Sequence, residues 1–222
     1  DKKSSGIFWE MPVFVRVGNH HVLIVCEVPG RASYWVGKWE NDDFKPLTSD
    51  PQRLDLFNHF LSPTPYTDES GRVILIGIVP ETRNSIEQWQ AGWAHLYGLP
   101  REITIDKEQR LYQKPIAELS SAFTPLLAAN QKQSLGATWT VFETAGTCVS
   151  VKARMERGSS ESVVIALRRS PDRLEETLIR YDWRNAQLVL DRTKSSLNAH
   201  TKRDVQQVSY EPQTPGVIEF AI

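Results

Sequence analysis

The sequence of 222 residues has little of what builds disulfide-stapled, membrane-spanning or strongly charged proteins. Its two cysteines, Cys26 and Cys148, cannot make a disulfide framework, and both lie in apolar runs where small buried side chains are expected. No apolar run approaches the ~20 residues that cross a bilayer. With 26 basic and 27 acidic residues the formal net charge is −1, which indicates neither a nucleic-acid surface nor a polybasic membrane anchor.

Several common catalytic and ligand-binding motifs are also missing. The sequence has no glycine-rich phosphate loop, no H-E-x-x-H, no C-x-x-C and no G-x-S-x-G. The doublet His20-His21 lacks a third ligand nearby, so a metal site is not expected there.

What the sequence does contain is a series of short apolar runs, rich in β-branched and aromatic residues and separated by turn residues. Helical periodicity is nearly absent, although 116–130 can hold a short helical turn that Pro125 interrupts. An all-β chain, either a sandwich or a propeller, is therefore predicted. The predicted strands are His21–Val28, Ser33–Trp39, Arg72–Val79, Glu102–Ile105, Thr138–Thr144, Cys148–Arg154, Ser162–Arg168, Glu176–Trp183, Gln187–Arg192, Val205–Glu211 and Val217–Ile222.

The character of the strands changes near residue 115. Before it they are strongly apolar and tryptophan is dense, whereas after it apolar and polar residues alternate more cleanly, as in a sheet with one solvated face. A boundary between two structural parts is expected at about 113–125.

The segment FWEMP places Glu10 between Trp9 and Met11. Apolar neighbours disfavour the charged form of a carboxyl, so a raised pKa is expected for Glu10, which would suit a general acid. The alternative is a solvated glutamate at a strand edge.

Six segments in order give the sequence a wider resemblance. WEMPVF, YWVGKW, RLDLFNHF, GRVILIGIV, GWAHLYGLPREI and RLYQKPIAEL resemble segments of glycoside hydrolase family 32, which contains invertases, inulinases and levanases. The resemblance implies a five-bladed β-propeller followed by a β-sandwich, with 1–115 as the later part of the propeller and 116–222 as an incomplete sandwich. It also implies retaining cleavage of terminal β-D-fructofuranosyl bonds of sucrose or a fructan, without a cofactor.

The same resemblance implies roles for individual residues. Glu10 matches the general acid/base, Trp9 lies beside it, and Trp93 matches a tryptophan that lines the sugar pocket. Asp55 matches an aspartate that influences substrate preference, and Asn58 stands where some members pair that aspartate with a lysine. The alternatives are a turn aspartate for Asp55 and a core residue for Trp93.

Two further sequence motifs of the family, which carry the nucleophile and a transition-state-stabilising aspartate, have no match in this chain. The segments WENDDF and SDP look similar to them, but both follow Glu10, whereas the family motifs precede the acid/base. The chain is therefore expected to be an internal piece of a glycosidase. Its expected partners are a carbohydrate and either the missing propeller portion or a second copy, with no nucleic acid or membrane; localisation is left open. A non-catalytic carbohydrate-binding or pseudo-enzyme module, or a structural β-scaffold, are the rival interpretations.

Overall fold

The computed structural model describes residues 8–28, 30–123 and 149–221. Within these ranges the chain is all-β, as predicted, and antiparallel pairs build every sheet. The helical elements described are α1 (Ser85–Ala91) and a 3-10 helix over Ala117–Ala122. No described helix is long and apolar enough to cross a membrane.

The first sheet is formed by the N-terminal strands in the order β1-β2-β3-β4, with β5 added to β3. Asn41 and Asp42 both have positive φ, 53° and 58°, which suits the tight turn that joins β3 to β4. The strands are β1 (Phe8–Val17), β2 (His20–Val28), β3 (Arg31–Glu40), β4 (Asp43–Pro46) and β5 (Gln52–Arg53).

The second sheet follows directly, in the order β10-β9-β7-β6, with β8 added to β7. Helix α1 lies in the connection between β7 and β8. The strands are β6 (Leu61–Thr67), β7 (Val73–Val79), β8 (Leu96–Tyr97), β9 (Arg101–Ile105) and β10 (Leu111–Pro115).

One hydrophobic core joins these two sheets. One face of the first sheet packs with Leu54, Phe60 and apolar residues of β7 and β9. Phe60 fits only because Gly77 lacks a side chain, since a Cβ there would lie 2.7 Å from the Phe60 ring. The first-sheet members of the core are Val17, Val22, Ile24, Cys26, Ala32, Tyr34 and Val36.

The C-terminal part has separate sheets. Strands β12 to β15 pair in sequence order, and β11 pairs with β16. The buried ring of Tyr181 packs edge-on against Trp183 and donates its hydroxyl to the Tyr210 carbonyl at 2.9 Å. The strands are β11 (Lys152–Glu156), β12 (Ser162–Leu167), β13 (Glu176–Asp182), β14 (Gln187–Lys194), β15 (Val205–Ser209) and β16 (Val217–Ala221).

The predicted strands on described residues correspond to β2, β3, β7, β9 and β11 to β16. Strand β11 begins at Lys152, later than predicted. The helical turn within 116–130 is present as the 3-10 helix, whereas 124–130, Thr138–Thr144 and Cys148 lie outside the described residues. The sequence did not predict β1, β4, β5, β6, β8, β10 or α1.

The C-terminal part contacts the second sheet through the loop that carries α1. The Lys202 backbone donates to the Thr82 carbonyl at 3.2 Å, and Asn198 Nδ2 donates to Glu87 Oε1 at 2.7 Å. These contacts place the predicted Trp93 segment next to both parts of the molecule.

Candidate functional site

Glu10 lies at an irregularity in β1. Its Cα partner on β2 is Cys26, and the next pair is Val13 with Ile24, so β1 carries one extra residue there. Met11, within this β-bulge, has φ 50°, which a non-glycine side chain rarely adopts. Bulges of this kind bend a strand and re-aim its side chains, often beside active sites. Glu10 is exposed, so its apolar sequence neighbours do not bury it within the described residues.

Cys26 connects β2, the strand that pairs with Glu10, to the second sheet. Its thiol is free and buried, as predicted, and Sγ accepts a hydrogen bond from the Ser62 backbone N–H at 3.1 Å. Ser62 belongs to β6, directly after the segment of Asp55 and Asn58. Cys26 therefore connects β2, which pairs with the Glu10 end of β1, to the start of β6 after the segment of Asp55 and Asn58.

Trp9 points to the other face of the first sheet. Its ring lies 5.5 Å from the buried Trp35 ring, and successive side chains of a strand alternate between faces. Trp9 is adjacent to Glu10 in sequence, but the two side chains lie on opposite faces of the sheet.

A buried ion pair supports the backbone next to Trp9, and the sequence did not predict it. Glu27, the Cα partner of Trp9, is 2% exposed and accepts two hydrogen bonds from Arg31 Nη2, at 2.9 and 2.8 Å. Ser33 donates its hydroxyl to the same carboxylate. A buried carboxylate requires such partners, because an unpaired charge in the interior is costly. The four-residue spacing of Glu27 and Arg31 across a turn was the available signal.

Asp55 and Asn58 lie in one tight turn. Asp55 Oδ2 accepts the His59 backbone N–H at 2.7 Å, and the Asn58 N–H lies 3.4 Å from the Asp55 carbonyl oxygen. Asn58 has φ 56°, which asparagine tolerates better than most residues, and its buried Oδ1 has no partner among the described residues. The prediction thus identified two residues that the fold does bring together.

Asp55 acts on Arg101 through its charge. Its guanidinium lies 3.8 Å from the Phe60 ring centroid, and burial lowers the pKa of Arg101 while the nearby Asp55 carboxylate opposes that shift. The Phe60 ring and the Asp55 carboxylate together hold the Arg101 guanidinium next to the Asp55 turn.

Trp93 follows α1 and is 51% exposed. The Arg83 guanidinium lies 4.0 Å from its ring centroid, and Arg83 Nη2 donates to the Trp93 carbonyl at 3.2 Å. The exposure contradicts the alternative of a core tryptophan. Arg83 was not predicted, because nothing in TRNS marks it as a partner of a residue ten positions later.

A cavity of about 480 Å³ lies where the second sheet meets β14. Of the five predicted site residues, Asp55 lines it, whereas Trp9, Glu10, Asn58 and Trp93 do not. Its other lining residues include His59, Glu81, Arg83, Leu190 and Arg192.

The charges in this cavity are paired. Arg83 Nε lies 2.5 Å from Glu81 Oε2, and Arg192 Nη2 lies 2.5 Å from Asp204 Oδ1. The two arginines that line the cavity are thus already paired with carboxylates, which disfavours an anionic ligand there.

The described residues contain no group of three or more side chains that could hold a metal ion. His21, one of the doublet considered above, stacks on Phe14 with ring centroids 5.1 Å apart.

Comparison with known families covers nearly the whole chain. The family model described as "Glycosyl hydrolases family 32 N-terminal domain" matches residues 1–115, and the model described as "Glycosyl hydrolases family 32 C terminal" matches residues 111–221.

Curated relatives carry related names. A sucrose-6-phosphate hydrolase of Staphylococcus xylosus is 26% identical over 205 residues, covering 86% of this chain and 40% of that protein. A β-fructofuranosidase, insoluble isoenzyme 4, of Oryza sativa subsp. japonica is 29% identical over 136 residues, covering 51% of this chain and 23% of that protein. The chain thus spans less than half the length of these relatives.

Solved structures share the fold at low identity. Sucrose-6-phosphate hydrolase from Lactobacillus gasseri superposes with a TM-score of 0.75 at 21% identity, over 97% of this chain and 45% of that one. Fructan 1-exohydrolase IIa from Cichorium intybus, in complex with 1-kestose, gives a TM-score of 0.74 at 16% identity, over 90% of this chain and 48% of that one.

Proposed function

The chain belongs to glycosyl hydrolase family 32, and from this we propose that the complete protein cleaves terminal β-D-fructofuranosyl bonds of sucrose or a fructan. The observation that carries the proposal is the match of consecutive parts of the chain to both family domains. The names of the relatives, which include a raffinose invertase of Escherichia coli, agree with a fructosyl substrate.

In the proposed mechanism Glu10 is the general acid/base. It donates a proton to the leaving oxygen as a carboxylate nucleophile forms the fructosyl-enzyme, and then accepts a proton from the water that hydrolyses this intermediate. Retaining enzymes hold their two carboxyl groups ~5–5.5 Å apart. We assign the nucleophile and the stabilising aspartate to family segments that have no match in this chain. The bulge at Met11 supports the role of Glu10, because it sets the direction of the side chain.

We propose that Asp55 and Asn58 contact the hydroxyl groups of the substrate and that Trp93 offers aromatic surface to the sugar; Trp9, on the opposite face of the sheet from Glu10, packs on Trp35 instead and is not assigned to the same sugar. The shared turn of Asp55 and Asn58 and the exposure of Trp93 support these roles.

We further propose that the two N-terminal sheets are later blades of a five-bladed propeller, within 1–115, and that 116–222 contribute a β-sandwich. The first sheet exposes an aromatic cluster on the face turned away from the second sheet, comprising Phe14, Trp39 and Phe44. The preceding propeller portion is the partner that we assign to this aromatic cluster, with a second copy of the chain as the alternative.

The substitution Glu10→Gln in the complete protein tests the mechanism. It keeps the shape of the side chain and removes the transferable proton, so kcat on sucrose, inulin or levan is expected to fall ~10²–10⁴-fold with the fold unchanged. Glu40→Gln, an exposed glutamate at the end of β3, is the matched control and should leave kcat unchanged. Undiminished turnover in Glu10→Gln would exclude Glu10 as the acid/base, and absence of hydrolysis by the unsubstituted protein on every fructosyl substrate would overturn the function itself.

A further inference from the structure

The loop between β7 and β8 brings two distant residues together at its base. Helix α1 begins after Asn84, whose Oδ1 accepts the Glu87 N–H at 2.9 Å, and ends at Gly92, which has φ 76°. Arg83 directly precedes this capped helix and Trp93 directly follows it. The helix therefore returns the chain so that the two side chains meet.

Arg83 is attached to both sides of the loop. On one side Nε lies 2.5 Å from Glu81 Oε2, and on the other Nη2 donates to the Trp93 carbonyl while the guanidinium lies 4.0 Å from the indole centroid. Gln88 Nε2 donates to the Arg83 carbonyl at 2.9 Å, which fixes the Arg83 backbone against α1. The Arg83 side chain is thus held from several directions.

The anchor of Arg83 is itself fixed. The Glu81 side chain is 11% exposed, and its backbone N–H donates to His95 Nδ1 at 3.3 Å. Two pairs therefore connect the two sides of the loop: Glu81 with His95, and Arg83 with Trp93. The C-terminal part supports the same loop from outside, through Lys202 on Thr82 and Asn198 on Glu87.

We propose that Arg83 is a positioning residue that fixes the orientation of the Trp93 ring for substrate binding. This rests on the proposed function, because Trp93 is assigned there to the sugar. A half-exposed tryptophan after a glycine has several rotamers available, and the guanidinium on one face with the hydrogen bond to the carbonyl selects one. With Trp93 51% exposed in the described part of the chain, ring surface is left for the flat, apolar side of a sugar ring.

The substitution Arg83→Met in the complete protein is the test. Methionine keeps the length and apolar packing but loses the charge and the donors, so KM for a fructosyl substrate is expected to rise ~5–10-fold with kcat nearly unchanged. Arg83→Lys keeps the cation over the ring without the paired donors, and should give an intermediate KM. Arg110→Met is the control, because Arg110 also lies over an aromatic ring, that of Tyr112 at 5.7 Å, and carries acidic partners of its own.

A double-substitution cycle with Trp93→Ala separates positioning from general stability. If Arg83 acts through Trp93, Arg83→Met has no further effect on KM once Trp93 is removed. Equal effects in both backgrounds, or an unchanged KM in a folded Arg83→Met or Arg83→Lys protein, would overturn the proposal.

A second readout needs no activity. Loss of the guanidinium should alter the tryptophan emission spectrum in Arg83→Met and leave it unaltered when Trp93→Phe is already present. An identical spectral change in both backgrounds would contradict the positioning role. A protein that shows the Trp93-dependent change but hydrolyses no fructosyl substrate would refute the proposed function and leave the positioning intact.

Discussion

Asp68 is a turn residue whose carboxylate is strongly stabilised in its charged form. Its carboxylate accepts hydrogen bonds from the Ser70 hydroxyl and backbone and from the Arg72 backbone and guanidinium, with distances between 2.7 and 3.0 Å. The hydrogen bond from Ser70, followed by those from Arg72, holds the pKa of Asp68 at about 2. Arg72 also binds Glu118 at 2.7 Å, so this turn connects the second sheet to the 3-10 helix.

Acidic pH should therefore reduce the contribution of this turn to the free energy of unfolding. Because the folded pKa of Asp68 is lower than the unfolded one, its contribution is complete above about pH 4 and is lost as the pH falls towards 2. In Asp68→Asn we expect a Tm several degrees below the unsubstituted protein at about pH 6, and a smaller difference at about pH 2.5, measured by thermal melts. Glu69→Gln, at the next residue of the same turn, should leave Tm unchanged at both pH values, and a deficit in Asp68→Asn that does not depend on pH would contradict the linkage.

At the scale of single elements, close packing constrains the strand that faces Phe60. A Cβ at Gly77 would lie 2.7 Å from Phe60 Cζ and 2.8 Å from the Leu61 carbonyl oxygen. Neither the buried ring nor the backbone of β6 can move away freely, so the side chain is excluded by close packing and not by backbone conformation.

Gly77→Ala should consequently destabilise the complete protein by roughly 1–3 kcal/mol, in spite of the better strand propensity of alanine. Gly158→Ala is the control, because nothing lies within 4 Å of a Cβ there, and it should change the free energy of unfolding by less than about 0.5 kcal/mol. Denaturant unfolding measures both, and equal stability of the two variants would show that Phe60 adapts.

The elements that the sequence predicted carry either a run of apolar residues or an alternation of apolar and polar residues, as in β15. Strands such as Val73–Val79 carry such a signal, whereas β1 contains Pro12 and a bulge, and β10 contains charged and amide side chains. Helix α1 buries none of its residues, so it has no apolar periodicity to detect, and only Asn84 and Gly92 mark its ends. Asp55 and Asn58 could be predicted as neighbours because they are close together in the sequence. The contact of Arg83 with Trp93 depends on how a ten-residue loop folds back, which local sequence does not determine, whereas the four-residue spacing of Glu27 and Arg31 offered a local signal.

At the scale of the whole molecule, the outer face of the first sheet presents an exposed aromatic surface. Phe14 and Trp39 are exposed, and the Phe14 ring centroid lies 5.6 Å from that of Trp39 and 5.3 Å from that of Phe44. A contiguous aromatic surface of this kind in water favours association with another apolar surface.

The isolated 222-residue chain is therefore expected to self-associate as its concentration rises, which sedimentation velocity measures. The double substitution Phe14→Ser and Trp39→Ser should reduce this association, whereas Leu197→Ser, which removes an exposed apolar side chain from the C-terminal part, should not. Addition of the preceding family segment should suppress the association as well. A monodisperse, cooperatively melting 222-residue chain would contradict the assignment of this surface to a partner.

The bulge at Met11 also determines how this segment tolerates changes in length. In an unbroken strand, residues three positions apart have opposite parity; Glu10 and Val13 share a face only because two residues of β1 stand against one of β2 between their pairs. An in-frame deletion of Met11 or Pro12 would leave Glu10 two positions before Val13, so the strand and the face of Glu10 would be kept, but the bulge that directs the carboxylate would be lost. Gene variants of this segment should thus accept substitutions at Met11 far more readily than insertions or deletions.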